Sequence, residues 1–281
     1  MYQYESKIRM GHVSLNVVNL ELEIEYYQKI LGLQIIKQDN NSADLGLSES
    51  KEVLVHLDKV PFKEDNTYGL YHLAILLPSR EELGNFLHHL VHDQIPVVGA
   101  ADHGYSESIY LEDVEGNGIE IYRDKAVEEW DIQGDKIIGV TEQMDFEAVL
   151  SALTKPHESF VMPEGTRMGH VHLTVSRVIK DTKFYLDVLG ITEKFAVPSA
   201  TWISSGNYHH HLAFNDWRGS ELENNDPKAP GLREFAIYVD DAAYFEQVKE
   251  NARNLQAIYD ENENQVRIID PVGNIFSLIL E

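Results

Sequence analysis

Three residues within one short stretch carry the chemistry most open to use in this chain. Between Asp102 and Tyr122 lie His103, Tyr110 and Glu120, an imidazole, a phenol and a carboxylate. The stretch reads as a β-hairpin: a strand ending near Leu111, the turn Asp113-Val114-Glu115-Gly116-Asn117-Gly118, and a strand through Ile119 and Tyr122. Gly116 and Gly118 can supply positive φ there, and Asp and Asn tolerate turn geometry. The hairpin therefore sets the three polar groups on adjacent strands. Upstream, His72 sits inside the apolar run Gly69–Leu77, where an imidazole without a partner costs free energy. A metal ion is the best partner available to it. The chain has no cysteine, which excludes disulfides, thiolate sites and cysteine nucleophiles, so any metal is held by histidine and carboxylate.

These groups are positioned by a repeat. Met10-Gly11-His12-Val13-Ser14-Leu15-Asn16-Val17 returns as Met168-Gly169-His170-Val171-His172-Leu173-Thr174-Val175. At the same offset Tyr26-Tyr27 falls on Phe184-Tyr185, and Leu31-Gly32 on Leu189-Gly190. One offset across three landmarks marks two homologous halves. Each half opens on an alternating strand. A helix follows, expected over about 20–30 in the first half, with Leu20, Ile24, Tyr27 and Leu31 on its apolar stripe. Asn19 is its N-cap and Gly32 follows its end. A second strand and helix come next, over Gly69–Leu77 and Ser79–His92, with counterparts over Gly231–Val239 and Asp241–Asn254. The expected class is α+β, built from four βαβββ modules. Residues 1–123 and 167–281 form the two halves, and a charged connector over 124–166 joins them, with a short helix over Phe146–Leu153.

Length and composition bound the function. The 281 residues, 43% hydrophobic and 25% charged, describe a globular chain able to bury a core. A net charge of −24 argues against binding a phosphate backbone or an anionic membrane surface. No apolar run is long enough to span a bilayer, and the first residues lack a signal-peptide core, so a cytoplasmic location is expected.

Paired βαβββ modules that open on a histidine-bearing strand resemble the vicinal oxygen chelate superfamily of glyoxalases, bleomycin-resistance proteins and extradiol dioxygenases. The four-module arrangement is most similar to the two-domain catechol 2,3-dioxygenases. The resemblance implies two paired-module open β-cups with helices outside, and metal ligands from the first strands of both modules and the last strand of the second. In the first half those positions are His12, His72 and Glu120. Two histidines and a carboxylate leave open cis positions on Fe(II), the first candidate, while Mn(II), Ni(II) and Zn(II) also suit them.

The extradiol motif is matched by His103, Ile109-Tyr110, Asp113-Val114-Glu115-Gly116 and Glu120, with Val114 in place of the usual proline and Ala101 where Gly, Asn or Thr is common. In the second half the matching positions are His170, Glu234 and Ser277, and a serine cannot replace the carboxylate. The run Asn207–Leu212, read as a strand, offers His211, so His170, His211 and Glu234 form a second candidate site. The implied reaction is metal-dependent ring cleavage of a small aromatic diol by O2, with His103 as acid/base and Tyr110 hydrogen-bonding the intermediate. Two alternatives remain: a glyoxalase-like lyase or isomerase, which wants a second carboxylate ligand in the same cup, and a non-catalytic binding protein of the bleomycin-resistance type. The acidic surface and sheet edges are compatible with a homo-oligomer.

Overall fold

The computed structural model describes residues 5–63, 66–154 and 159–281. The first four residues of the expected leaderless N-terminus and residues 155–158 of the expected connector lie outside the described residues. Four modules repeat one order. The first comprises β1 (Arg9–Val17), α1 (Leu20–Lys29), β2 (Gln34–Gln38), β3 (Ser42–Gly46) and β4 (Val53–Lys59). The second comprises β5 (Gly69–Leu76), α2 (Arg80–His92), β6 (Gly99–Asp102), β7 (Ser106–Glu112) and β8 (Gly118–Asp124). In the connector, β9 (Asp131–Gln133) and β10 (Lys136–Ile138) form a hairpin before α3 (Phe146–Leu150). The third module has β11 (Arg167–Thr174), α4 (Val178–Leu189), β12 (Thr192–Val197), β13 (Ala200–Ser204) and β14 (Leu212–Asn215). The fourth has β15 (Gly231–Val239), α5 (Ala242–Asn254), β16 (Ile258–Glu261), β17 (Gln265–Ile269) and β18 (Ile275–Leu280).

Local signals account for the elements. Asn19 Oδ1 accepts from the Leu22 N–H at 3.3 Å and Ser79 Oγ from the Glu82 N–H at 3.2 Å, so both helices begin on side chains that satisfy orphan donors. Gly190 ends α4 in the left-handed region at φ 63°, where a side chain would be strained. Leu20, Ile24 and Tyr27 of α1 are buried, giving the one-sided stripe of a helix lying outside a sheet. No helix among the described residues is long and apolar enough to cross a membrane.

The two cups are not the two halves of the chain. One eight-stranded sheet runs β16-β17-β18-β15-β1-β4-β3-β2 and the other β12-β13-β14-β11-β5-β8-β7-β6. The first module thus pairs with the fourth, and the second with the third. The division into cups at 1–123 and 167–281 is corrected accordingly. The physical reason lies in non-local fits. Gly169 of β11 has no room for a Cβ because the Tyr122 ring of β8 stands there, and Gly11 of β1 is crowded in the same way by Tyr238 of β15. Each opening strand bulges near its glycine, between Met168 and His170 and between Met10 and Val13. A tyrosine of the partner module fills the gap.

Helices tie what the strands separate. Tyr27 on α1 donates its hydroxyl to Asp113 in the β7–β8 turn at 3.1 Å, and Tyr185 on α4 donates to Asp270 before β18 at 2.8 Å. Each aspartate also takes the backbone N–H four residues on, from Asn117 and Asn274, at 2.8 Å. Glu115 caps the start of α1, accepting from the Val18 and Asn19 N–H groups at 2.9 and 2.7 Å. The two modules within each half are therefore linked through helix and turn, while the sheets are shared between modules of different halves.

One group at this junction makes stability depend on pH. Glu23 of α1 is fully enclosed, and burial first, then the Asp113 and Glu115 carboxylates, raise it to about 8. The folded chain holds that proton more tightly than the unfolded chain. Stability contributed by the neutral acid is therefore lost as pH climbs from the ordinary carboxylate range to about 8. Glu23→Gln is expected to leave the melting temperature nearly unchanged at pH 5 and to raise it by a few degrees at pH 8.5. Thermal melts at the two pH values check this, and an equal shift at both would contradict it.

Candidate metal centre and its cavity

In the sheet of the second and third modules, β11 runs antiparallel to β5 and β5 runs parallel to β8. The register places His170 beside Ala74 and Ala74 beside Glu120, in one row across three strands. His72 lies two residues before Ala74, on the same face of β5. Only a methyl group stands between His170 and Glu120, so the three long side chains converge above Ala74. His72 Nε2 is 3.0 Å and His170 Nε2 3.2 Å from Glu120 Oε2, and the two Nε2 atoms are 3.4 Å apart. All three residues are buried. An ion with bonds of about 2.1 Å sets neighbouring octahedral ligands about 3 Å apart, so the donor set fits a divalent metal.

Electrostatics prepare the same donors. Burial pulls the His170 imidazolium down to about 4, against the pull of Glu120, leaving neutral lone pairs near pH 7. Burial raises Glu120, but His170 and His72 outweigh it and hold the carboxyl well below its ordinary value. Ser108 Oγ donates to Glu120 Oε1 at 2.6 Å and fixes the carboxylate so that Oε2 faces the histidines. Imidazole nitrogens beside a carboxylate are a donor set that suits a hard-to-borderline cation.

His103 and Tyr110 lie at the same cavity. His103, in the turn between β6 and β7, has Nδ1 at 2.8 Å from the Val140 carbonyl. A carbonyl only accepts, so Nδ1 carries the proton. Nε2 is then the acceptor for the Tyr110 hydroxyl, at 2.6 Å. Burial, then Glu120, push Tyr110 well above its ordinary value and keep it a donor. Tyr110 is directly opposite Glu120 in the β7–β8 ladder, as the hairpin pattern implies.

Two histidines not proposed as functional also line the cavity: His172 and His210. Asn215 Nδ2 donates to His172 Nε2 at 3.0 Å. His210 Nδ1 meets His209 Nδ1 at 2.8 Å, and His209 Nε2 meets Asp124 at 2.9 Å. Because the Asp124 carboxylate accepts from His209 Nε2–H, His209 Nδ1 accepts from His210 Nδ1–H, and His210 Nε2 is left with its lone pair. The triple-histidine run of residues 209–211 was the available signal, but residues 207–211 form an irregular turn before β14 rather than a strand. Alternation of faces did not apply there. His211 is turned away, with Nδ1 at 2.8 Å from Ser204 Oγ.

The two expected ligand sets are therefore corrected. His12 stands in the sheet of the first and fourth modules, its Nδ1 3.4 Å from the Tyr238 hydroxyl, and His170 takes the place expected of it beside His72 and Glu120. His170, His211 and Glu234 do not assemble, because His170 and Glu234 belong to different sheets. In the second cup Arg267 Nε and Ser277 Oγ donate to Glu234 Oε2 at 2.9 and 2.8 Å. The carboxylate of the second cup thus faces an arginine, whereas Glu120 of the first faces two histidines.

Residues 9–121 match the family described as the Glyoxalase/Bleomycin resistance protein/Dioxygenase superfamily. Catechol-2,3-dioxygenase of Bacillus subtilis (strain 168) is 34% identical over 275 residues, covering 95% of each chain. Among solved structures, glyoxalase I of Zea mays superposes with a TM-score of 0.59 at 16% identity, over 97% of this chain and 92% of that one. A putative dioxygenase of Bacillus subtilis gives 0.62 at 12% identity, over 99% and 86%. At such identities the two structures speak to the fold alone.

Metal analysis after anaerobic reconstitution tests the ligand assignment. His72→Ala and His170→Ala are each expected to lose the bound equivalent, with affinity down at least about 100-fold. His12→Ala and Glu234→Gln are expected to keep it. Loss on removing His12 with retention on removing His170 would contradict the assignment.

Proposed function

Because the chain belongs to the glyoxalase/bleomycin resistance/dioxygenase superfamily, we propose that it is an extradiol ring-cleaving dioxygenase. Its substrates would be a catechol-type aromatic diol and O2. Both oxygen atoms enter the product, and the carbon–carbon bond beside the diol breaks. The single observation that carries this reading is that Glu120 is the only carboxylate among the described residues lining a cavity that also holds His72, His170, His103 and Tyr110. A glyoxalase-type isomerase wants a second carboxylate at that place, and a pure binding protein has no use for the triad. The 34% identity to catechol-2,3-dioxygenase supports the same choice.

His72, His170 and Glu120 would hold the metal, with Fe(II) the first candidate because the set leaves cis positions free. A redox-active ion bound there supplies the electronic link between a chelated diol and dioxygen. The chain's own groups handle protons. His103 Nε2, with its proton fixed on Nδ1 by Val140, is the acceptor that takes a proton within the cavity and returns it. Tyr110, kept protonated, donates its hydroxyl to His103 or to a developing oxyanion. His210 Nε2, a lone pair held by the His209–Asp124 chain, is a second acceptor for a diol proton. Burial of His72, His170 and Glu120 limits access of water to the ligand atoms.

An oxygen electrode with Fe(II)-reconstituted protein and catechol tests the reading. The expected result is consumption of oxygen and catechol in equal amounts, with a visible absorbance from the ring-opened product. His103→Ala is expected to keep its metal and lose about 10²- to 10⁴-fold in kcat. Absence of oxygen uptake with Fe(II), Mn(II), Ni(II) and Zn(II) alike, in protein shown to hold the metal, would contradict it.

A further inference from the structure

We infer that the cavity selects catechols whose remaining ring positions carry an uncharged apolar group, alkyl or aryl, and disfavours catechols that carry a carboxylate. The inference rests on the ring-cleavage reading and concerns the part of the ligand that does not react. The cavity measures about 530 Å³, far more than one six-carbon ring fills, so a substituent has room beside the diol.

What surrounds that room is apolar and uncharged. Tyr71, Phe195, Trp202 and Trp217 form its aromatic wall, and Val98 and Val197 stand with them. Tyr71 and Trp217 pack edge to face with centroids 5.1 Å apart, and Phe195 lies 5.2 Å from Trp202. Trp217 Nε1 donates to Ser199 Oγ at 3.1 Å, so the polar end of the indole is engaged away from a ligand. Four of these residues are exposed despite their character: Val197 at 39%, Tyr71 at 42%, Trp217 at 51% and Val98 at 64%. Large apolar side chains left open together at a cavity mouth are a surface awaiting apolar cover.

Charge argues in the same direction. Among the described residues that line the cavity there is no lysine or arginine, and the one formal charge is Glu120. A ligand carboxylate on the part of the ring away from the metal would give up hydration with no lysine or arginine there to replace it. It would also face aromatic rings whose faces are themselves negative. An alkyl or aryl group pays neither penalty and covers the exposed rim.

Anaerobic titration calorimetry on the metal-loaded protein tests this with catechol, 4-ethylcatechol and 3,4-dihydroxyphenylacetate, the last two alike in size and ring position. The expected result is binding of 4-ethylcatechol about tenfold tighter than the acid. Trp217→Ala is expected to weaken 4-ethylcatechol about fivefold while leaving catechol within about twofold. Val98→Lys, at an exposed position, is expected to shift the preference toward the acid by about tenfold. Equal or tighter binding of the acid by the unaltered protein, with catechol still bound, overturns this inference alone. Failure of all three diols to bind overturns the ring-cleavage reading and the inference with it.

Discussion

The antiparallel pairing of β5 with β11 is the constraint on which the candidate centre depends. It alone brings a histidine of the third module to the histidine and glutamate of the second. Its register is set by bulky and absent side chains: the Tyr122 ring occupies the space that Gly169 leaves open, and Ala74 separates His170 from Glu120 by no more than a methyl group. A one-residue slip in this pairing would turn His170 to the other face. The centre is thus a property of two modules from different halves of the chain, held by a sheet that neither completes alone.

Burial then decides the chemistry of the converging groups. It keeps the imidazole of His170 neutral while Glu120 stays anionic through its contacts with His170, His72 and Ser108. The same enclosure fixes hydrogen-bond directions further out. The Val140 carbonyl determines which nitrogen of His103 is bare, and Asp124, through His209, does so for His210. In the other cup the repeat survives without this balance. Ser277 stands at the counterpart of Glu120, and Arg267 neutralises Glu234. Duplication left two similar scaffolds; in one the carboxylate faces the His72 and His170 imidazoles, and in the other it faces an arginine.

How much of this was legible in the chain follows from how local each signal is. Module count, helix starts at Asn19 and Ser79, and the hairpin carrying Tyr110 and Glu120 depend on neighbours within a few residues and could be read directly. His72 could also be read, because an imidazole in so apolar a strand demands a partner. Its partner histidine could not. His12 and His170 open near-identical strands, and the choice between them rests on how Tyr122 and Tyr238 meet Gly169 and Gly11, contacts far apart in sequence. His210 was hidden for a different reason: residues 207–211 leave the strand conformation, so reading them as a strand pointed to His211 instead. The absence of lysine and arginine from the described lining of the cavity is a three-dimensional fact with no sequence pattern of its own.

The most direct measurement is anomalous X-ray diffraction at the iron edge from crystals grown with Fe(II) under nitrogen. The account predicts one strong peak bounded by His72, Glu120 and His170, with none beside His12. A peak between His12 and Glu234, or iron absent from the β5–β8–β11 face while present elsewhere, would contradict it.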